Sequence, residues 1–346
     1  MAWQFTGPFA FLVSVPLLHA WHPAAPVLAV VMLLGALVVA ELGPSNPDIA
    51  EPEGPARLFR ILPVVYVPAQ IALAIWAIEL ASGPDLPWLH FASLTSAVGT
   101  LSGVFGMLAA HDLVHSPKRL EKELGIVMLS FMTYRPFRIA HIYGHHRWVA
   151  TDRDPGTARL GESFYAFFAR TLVGQVAQAW EFERQLGKRK RLSRFANRVL
   201  LDPFAYLLIY GTVLAFFGWR SVLFLFLQSL LAILVLELFN YIAHYGLMRN
   251  RKADGRFEPL TVRHSWNTSN ALANKLIFNM GRHSDHHRRA TAPYQTLEPV
   301  ARAPELPAGY AGSIVLALLP PLWRRIMDPA VQRVRDEAQA AAEPAG

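Results

Sequence analysis

Residues 282–291 read RHSDHHRRAT and put His283, His286 and His287 into five positions, in a chain with 13 histidines among 346 residues. Three other stretches repeat the pattern: HDLVH holds His111 and His115, HIYGHH holds His141, His145 and His146, and NYIAHYG holds His244. On a helix, residues three or four apart share a face, with about 5–6 Å between Cβ atoms. Two imidazoles so placed can point at one ion, and neutral imidazole suits iron, zinc, copper and nickel. A basic patch or a solvated loop would explain RHSDHHRRAT taken alone, and a lone H-x3-H pair arises easily by chance. Their joint occurrence favours metal. Nine histidines exceed the roughly six ligands of an octahedral ion, so the set fits two metals better than one. His19, His22 and His90 carry no assigned chemistry, and His264 reads as a structural or supporting residue rather than a ligand.

Ligating histidines usually donate their far ring N–H to an acceptor. Asp112, Asp152, Asp154 and Asp285 lie close enough in sequence to serve. Glu237 sits in an apolar stretch seven residues before His244, hence on the same helix face, and Asn240 is counted with it. An intramembrane carboxylate is a functional candidate by default; a hydrogen bond to a neighbouring helix is the alternative. The chain has no cysteine, which excludes disulfides, thiolate-held clusters and cysteine nucleophiles. Redox chemistry here must obtain electrons from another protein or use histidine-held metal.

The elements that carry these residues are membrane spans. Hydrophobic residues make up 53% and charged residues 17%, with mean hydropathy +0.26, against about 25% charge in soluble domains. Six apolar stretches, near 6–22, 25–42, 61–82, 87–110, 198–218 and 221–243, approach the about 20 residues a helical span needs. The expected fold is an all-α integral membrane protein, one domain over 1–346. About six transmembrane helices carry a cytoplasmic histidine-rich cap from 111–197 and 244–330, followed by a frayed tail at 331–346. A Pro-rich connector occupies 43–55. The N-terminus lacks a cleavable signal pattern, so the first stretch is expected to stay. Apart from Arg220 at the turn between the last two spans, Lys and Arg lie in or beside the connector and the two polar segments. The positive-inside rule then puts both segments and both termini in the cytoplasm. The net charge of +8 and GKRKRLSR at 187–194 read as a lipid-headgroup or topology signal rather than a nucleic-acid site.

In this order and setting, the four histidine groups resemble those of the integral-membrane non-haem di-iron hydroxylases and desaturases. HIYGHHRWVATDRDPGTARLGESFY (141–165), NYIAHYGL (240–247), HSWNTSN (264–270), RHSDHHRRATAPYQTL (282–297) and LPAGYAGSIVLALLPPLWRRIMDP (306–329) resemble the alkane hydroxylases within that family. HDLVH (111–115) stands where those enzymes usually show Glu then Gly between the histidines, and Ala140 where they usually show Glu. The resemblance implies two iron ions held by His111, His115, His141, His145, His146, His244, His283, His286 and His287. It also implies O2 as cosubstrate and hydroxylation of the terminal methyl of medium- or long-chain alkanes. Electrons would come from rubredoxin and its NAD(P)H-dependent reductase, at a bacterial inner membrane. Leu33 stands near a position where the family can carry a bulky Trp, which implies a less obstructed substrate channel. Arg249, Arg251, Lys252, Arg288 and Arg289 would either dock an acidic partner or simply mark the cytoplasmic side. The rivals are a methyl hydroxylase of alkylaromatics or terpenes, a desaturase, and a non-catalytic metal-binding protein.

Overall fold

The computed structural model describes residues 1–43, 54–191 and 197–340. Nearly all of the expected connector, part of GKRKRLSR and the last six residues lie outside the described residues. Among the described residues the secondary structure is helical, with two isolated bridges and no strand.

Four helices are long and apolar enough to cross a membrane: α3 (Ala56–Ser82), α4 (Trp88–Val114), α8 (Arg198–Phe217) and α9 (Trp219–His244). The first two apolar helices, α1 (Gly7–Trp21) and α2 (Ala25–Glu41), are shorter than a full crossing. They form a hairpin whose turn is fastened by Ser93 of α4, which accepts from Val27 N–H at 2.9 Å and donates to Ala24 C=O at 2.8 Å. Helix α3 starts upstream of the expected boundary and brings Arg60 to its first turns.

In lipid, helices gain little from burying apolar surface against each other, so close backbone approach supplies packing instead. Helices α4 and α9 use glycine for this. A Cβ on Gly103 would lie 2.8 Å from the Ala232 carbonyl oxygen and 2.7 Å from Val235 Cβ. Helix α8 sits at the edge, with Phe204, Leu207, Leu208 and Phe216 exposed as a lipid-facing side chain should be. Arg220 donates to Pro84 and Leu86 C=O and stands 4.9 Å over the Trp88 ring, tying two turns together.

The remaining elements cover one end of the spans. They are α5 (Arg119–Phe131); α6, made of the turns Phe137–Ile139, Ala140–His145 and His146–Trp148; α7 (Phe164–Arg189); α10 (Ala271–Leu276); α11 (His283–Arg288); α12 (Gly309–Ala317); and α13 (Pro320–Ala340). Helix α7 buries Phe164, Phe167, Thr171, Gln175, Ala179 and Glu183 at helical spacing. Its outward face still presents Tyr165, Val173, Val176 and Trp180, so it is less polar than a water-facing segment was expected to be. The tail expected to fray continues α13 as helix through Ala340, where Trp323, Met327, Ala330 and Val331 pack inward.

Candidate metal centre

Helices α4 and α9 end at the covered face and deliver His111, His115 and His244; α6 and α11 supply the rest. Two wide, π-helical turns set the phase: Ser102–Gly106 lies one turn above His111, and Ala140–His145 contains the second histidine group. Such turns recur at functional sites because they re-aim the side chains that follow.

The nine histidines form two groups. His111, His115, His141, His146 and His286 are one; His145, His244, His283 and His287 are the other; within each group the candidate ligand atoms lie within 4.8 Å of one another. The HIYGHH box is therefore divided. His141 and His146, five apart across the wide turn, share a group, while His145 joins the other. In α11 the i, i+4 pair His283 and His287 stays together and His286 turns away. The expectation that residues three or four apart converge on one ion holds for His283 with His287 and for His111 with His115. It fails for His141 with His145 and for His283 with His286.

More ring nitrogens converge on one another than hydrogen bonding can satisfy. His141 Nε2 lies 2.8 Å from His111 Nε2, 3.1 Å from His115 Nε2 and 3.0 Å from His146 Nε2. His244, His283 and His287 close a triangle of Nε2 atoms at 3.0, 3.2 and 3.3 Å. A ring nitrogen has one proton or one in-plane lone pair, so it cannot serve three such partners. Two imidazoles on one ion, with bonds of about 2.1 Å at a right angle, stand about 3 Å apart. His145 Nε2 and His286 Nε2 are buried without a hydrogen-bond partner. The donor set thus fits two metal ions.

Burial holds His141, His146, His283, His286 and His287 well below the usual imidazole range, and neighbouring imidazoles add to it. His115 is lowered to about 4, chiefly by burial, then by His145 and Lys122. Neutral rings keep the lone pairs a metal needs.

The acidic residues divide differently from expectation. Asp154 accepts His145 Nδ1–H at 2.8 Å and is itself held by Thr157 Oγ1 at 2.7 Å and Gly156 N–H at 3.1 Å. Asp112 bonds no ring; it pairs with Arg60 and accepts the Tyr294 N–H. Asp152 is exposed and pairs with Arg251 at 2.8 Å. Asp285 pairs with Arg288 and Arg289 and accepts the Glu298 N–H at 2.9 Å. In each case an arginine reaches the carboxylate, and a charge-assisted bond outcompetes a neutral ring N–H. Glu237 is fully buried and accepts from Tyr134 Oη, Gln175 Nε2 and Asn240 Nδ2 at 2.8, 2.8 and 3.2 Å. It touches helices α7 and α9 rather than a ring, so Asn240 serves Glu237. His264 stands outside both groups, near Thr261 and Glu258; only its backbone carbonyl meets His244.

Several supporting residues escaped sequence reasoning. Asn267 Oδ1 accepts Ser284 N–H at 2.9 Å and its amide donates to Pro304 C=O, which fixes the start of α11. Trp266 Nε1 donates to Tyr245 C=O at 2.9 Å, just past His244. The signal was available: both lie in HSWNTSN, which has no other evident use. Arg60 was also visible as a charge at the edge of an apolar span. Leu33 is buried at 1% exposure within α2 and the apolar core. Among the basic residues, Arg249 donates to the Glu258 carbonyl at 2.7 Å and Lys252 is exposed.

A family model described as fatty acid desaturase matches residues 86–315. The chain is 37% identical over 319 residues to alkane 1-monooxygenase 2 of Pseudomonas aeruginosa, covering 90% of this chain and 84% of that one. It is 34% identical to alkane 1-monooxygenase 1 of the same organism, covering 97% and 91%. The xylene/toluene monooxygenase hydroxylase component XylM of Pseudomonas putida is 28% identical over 74% of this chain and 68% of that one. By matched length, by identity and by the histidine cage, the chain belongs to the alkane 1-monooxygenases of the fatty acid desaturase family.

Proposed function

We propose that this membrane monooxygenase hydroxylates the terminal methyl of medium- or long-chain alkanes to primary alcohols. Its nine histidines would hold two iron ions, and rubredoxin with its NAD(P)H-dependent reductase would supply the electrons. The observation that carries the reading is the convergence of the Nε2 atoms into groups of five and four. It is supported by similarity to enzymes named for alkane monooxygenation. The stoichiometry is one alkane, one O2, two electrons and two protons giving one alcohol and one water. Bound iron would supply O2 reduction and the oxidising power an unactivated C–H bond requires.

The chain's own residues do the rest. Asp154 keeps a proton on His145 Nδ1, which leaves Nε2 free as a donor. Apolar spans let substrate arrive from the bilayer and keep water from the covered face. Leu33, in the core of α2, would leave the channel open where a larger ring would close it. These 346 residues contain no cysteine to hold a rubredoxin's iron, so the donor would have to dock on them. Arg249 and Lys252 are the basic residues best placed for an acidic donor; Arg251 shares its charge with Asp152, and Arg288 and Arg289 spend much of theirs on Asp285. The setting is the inner membrane, with both termini and the cap cytoplasmic. The similarity to XylM favours a second reading, a methyl group on an aromatic ring.

Purification with iron quantitation, then product identification on octane, hexadecane and xylene with rubredoxin and reductase, tests the proposal. Two irons and 1-alkanols are expected. Benzylic alcohol alone would move the substrate class, and metal binding without substrate-dependent O2 uptake would reduce the protein to a metal carrier.

A further inference from the structure

The two histidine groups differ in three ways that bear on how each holds an ion. All four rings of the smaller group are buried: His244 at 0%, His283 at 4%, His145 at 6% and His287 at 8% exposure. In the larger group His115 and His146 are only half-buried, so two of its five ligand residues stand at the edge of the packed cap. The second difference is the far ring nitrogen. His145 alone gives its Nδ1–H to a carboxylate; among the described residues none of the other eight rings is bonded to one. A carboxylate there fixes the tautomer and raises the basicity of the opposite nitrogen, and losing such a partner typically costs about 10–100-fold in metal affinity. The third difference is ligand number, five against four.

These differences oppose each other. A fifth imidazole adds a bond to the larger site. Release, however, proceeds one ligand at a time, and a chelator must reach the ion once a ring lets go. His115 and His146 are the ligand residues nearest solvent, and no residue of the smaller group is comparably exposed. Asp112, next in sequence to His111, cannot compensate, because its carboxylate is committed to Arg60.

Building on the two-metal reading, we infer that the two sites are unequal. The four-histidine site is a sealed, slowly exchanging site that depends on Asp154 as a positioning residue, and the five-histidine site is the one through which metal exchanges. Asp154 does not touch the ion; it acts through His145.

The test is ferrous-ion release from the purified, lipid-reconstituted holoprotein into excess ferrozine, with iron counted before and after. The wild type should release one equivalent at least tenfold faster than the second. Asp154→Asn keeps the side-chain shape and removes the charge. It should accelerate the slow phase about 10–100-fold and leave the fast phase unchanged. The Mössbauer spectrum of the 57Fe-loaded variant should change in one of two subspectra only, which general loosening of the fold would not produce. Two equivalents leaving in a single phase would overturn the inference and leave the two-metal reading standing. So would an Asp154→Asn effect on the fast phase alone. A protein that binds fewer than two irons refutes the two-metal reading itself, and this inference with it. The wild-type time course decides the question of unequal sites even if the variant does not fold.

Discussion

Removing Arg60 should cost both stability and metal content. Its guanidinium pairs with both Asp112 and Glu121, and Ser116 also donates to Glu121 at 2.5 Å. The side chains of Asp112 and Glu121 are only 9% and 11% exposed, and Arg60 is 22% exposed. Arg60→Met therefore strands two nearly buried carboxylates at once. Breaking a buried pair by deleting one partner costs about 3–5 kcal/mol, because the other charge is left uncompensated. The lower end applies here, since Arg60 retains some solvent contact. The carboxylates flank the first histidine pair, so the loss should appear as lower iron content as well as lower stability. Arg60→Lys keeps the charge but cannot bridge two carboxylates with a planar fork; an intermediate cost of about 1–3 kcal/mol is expected. Adding Asp112→Asn to Arg60→Met should recover part of the loss, with a coupling of about 1 kcal/mol or more. The assay is detergent-titrated unfolding in mixed micelles, paired with iron counts. Wild-type stability and full iron in Arg60→Met would refute the reasoning, because the carboxylates would then need no cation.

His286→Ala should insert normally yet lose iron and hydroxylation, whereas His19→Ala, whose ring packs edge-on to Trp76, should match the wild type in both measurements. Glu237→Leu leaves Tyr134, Gln175 and Asn240 without their acceptor; at about 1–3 kcal/mol per unsatisfied group it should unfold more readily than Glu237→Gln in the same titration. Gly103→Leu should separate α4 from α9, lowering stability by at least the 1–3 kcal/mol typical of overpacking, read as a shift in unfolding midpoint. Acid should weaken the metal-free fold: His115, His141, His146, His283, His286 and His287 have lowered values when folded, so the unfolded chain takes up protons first as pH falls below 6.5. Stability is then full above about 6.5 and declines toward about 4, where His115 also protonates; an unfolding midpoint flat from pH 7 to 4.5 would contradict this.

Four of the six expected spans were legible from composition, and the histidine groups were legible because nine rings at repeated short spacing have few other uses. The partition of those rings was not legible. It depends on a wide turn at Ala140–His145, and periodicity of 3.6 assigns His145 to the wrong partner. The roles of Asp112, Asp152 and Asp285 were misread for another reason. Sequence proximity to a histidine shows which acceptors are near a ring, but not which arginine is nearer. Arg60 reaches Asp112 from 52 residues upstream and Arg251 reaches Asp152 from 99 downstream, distances no local pattern encodes. Asp154 escaped this because its donors, Thr157 and Gly156, come from its own turn.

That division of the acids has a structural consequence. If every carboxylate near the cage bonded a ring, the histidines would be oriented but the helices carrying them would be tied together only through the metal. Instead Asp112 ties the end of α4 to α3 and to the loop at Tyr294. Asp285 ties α11 to Glu298 through its backbone N–H, while Arg289 of the same helix donates to Thr296 C=O at 2.6 Å. Asn267 holds the start of α11 against Pro304, and Glu237 joins α9 to α7 and to Tyr134. Three of the four histidine-bearing elements, α4, α9 and α11, are thus anchored to different neighbours by polar contacts that involve no imidazole. These anchors position the ring-bearing helices independently of any bond the rings themselves make. A site built this way binds metal with little reorganisation, which is what a cage of neutral ligands needs when its own charge contributes nothing to drawing the ion in.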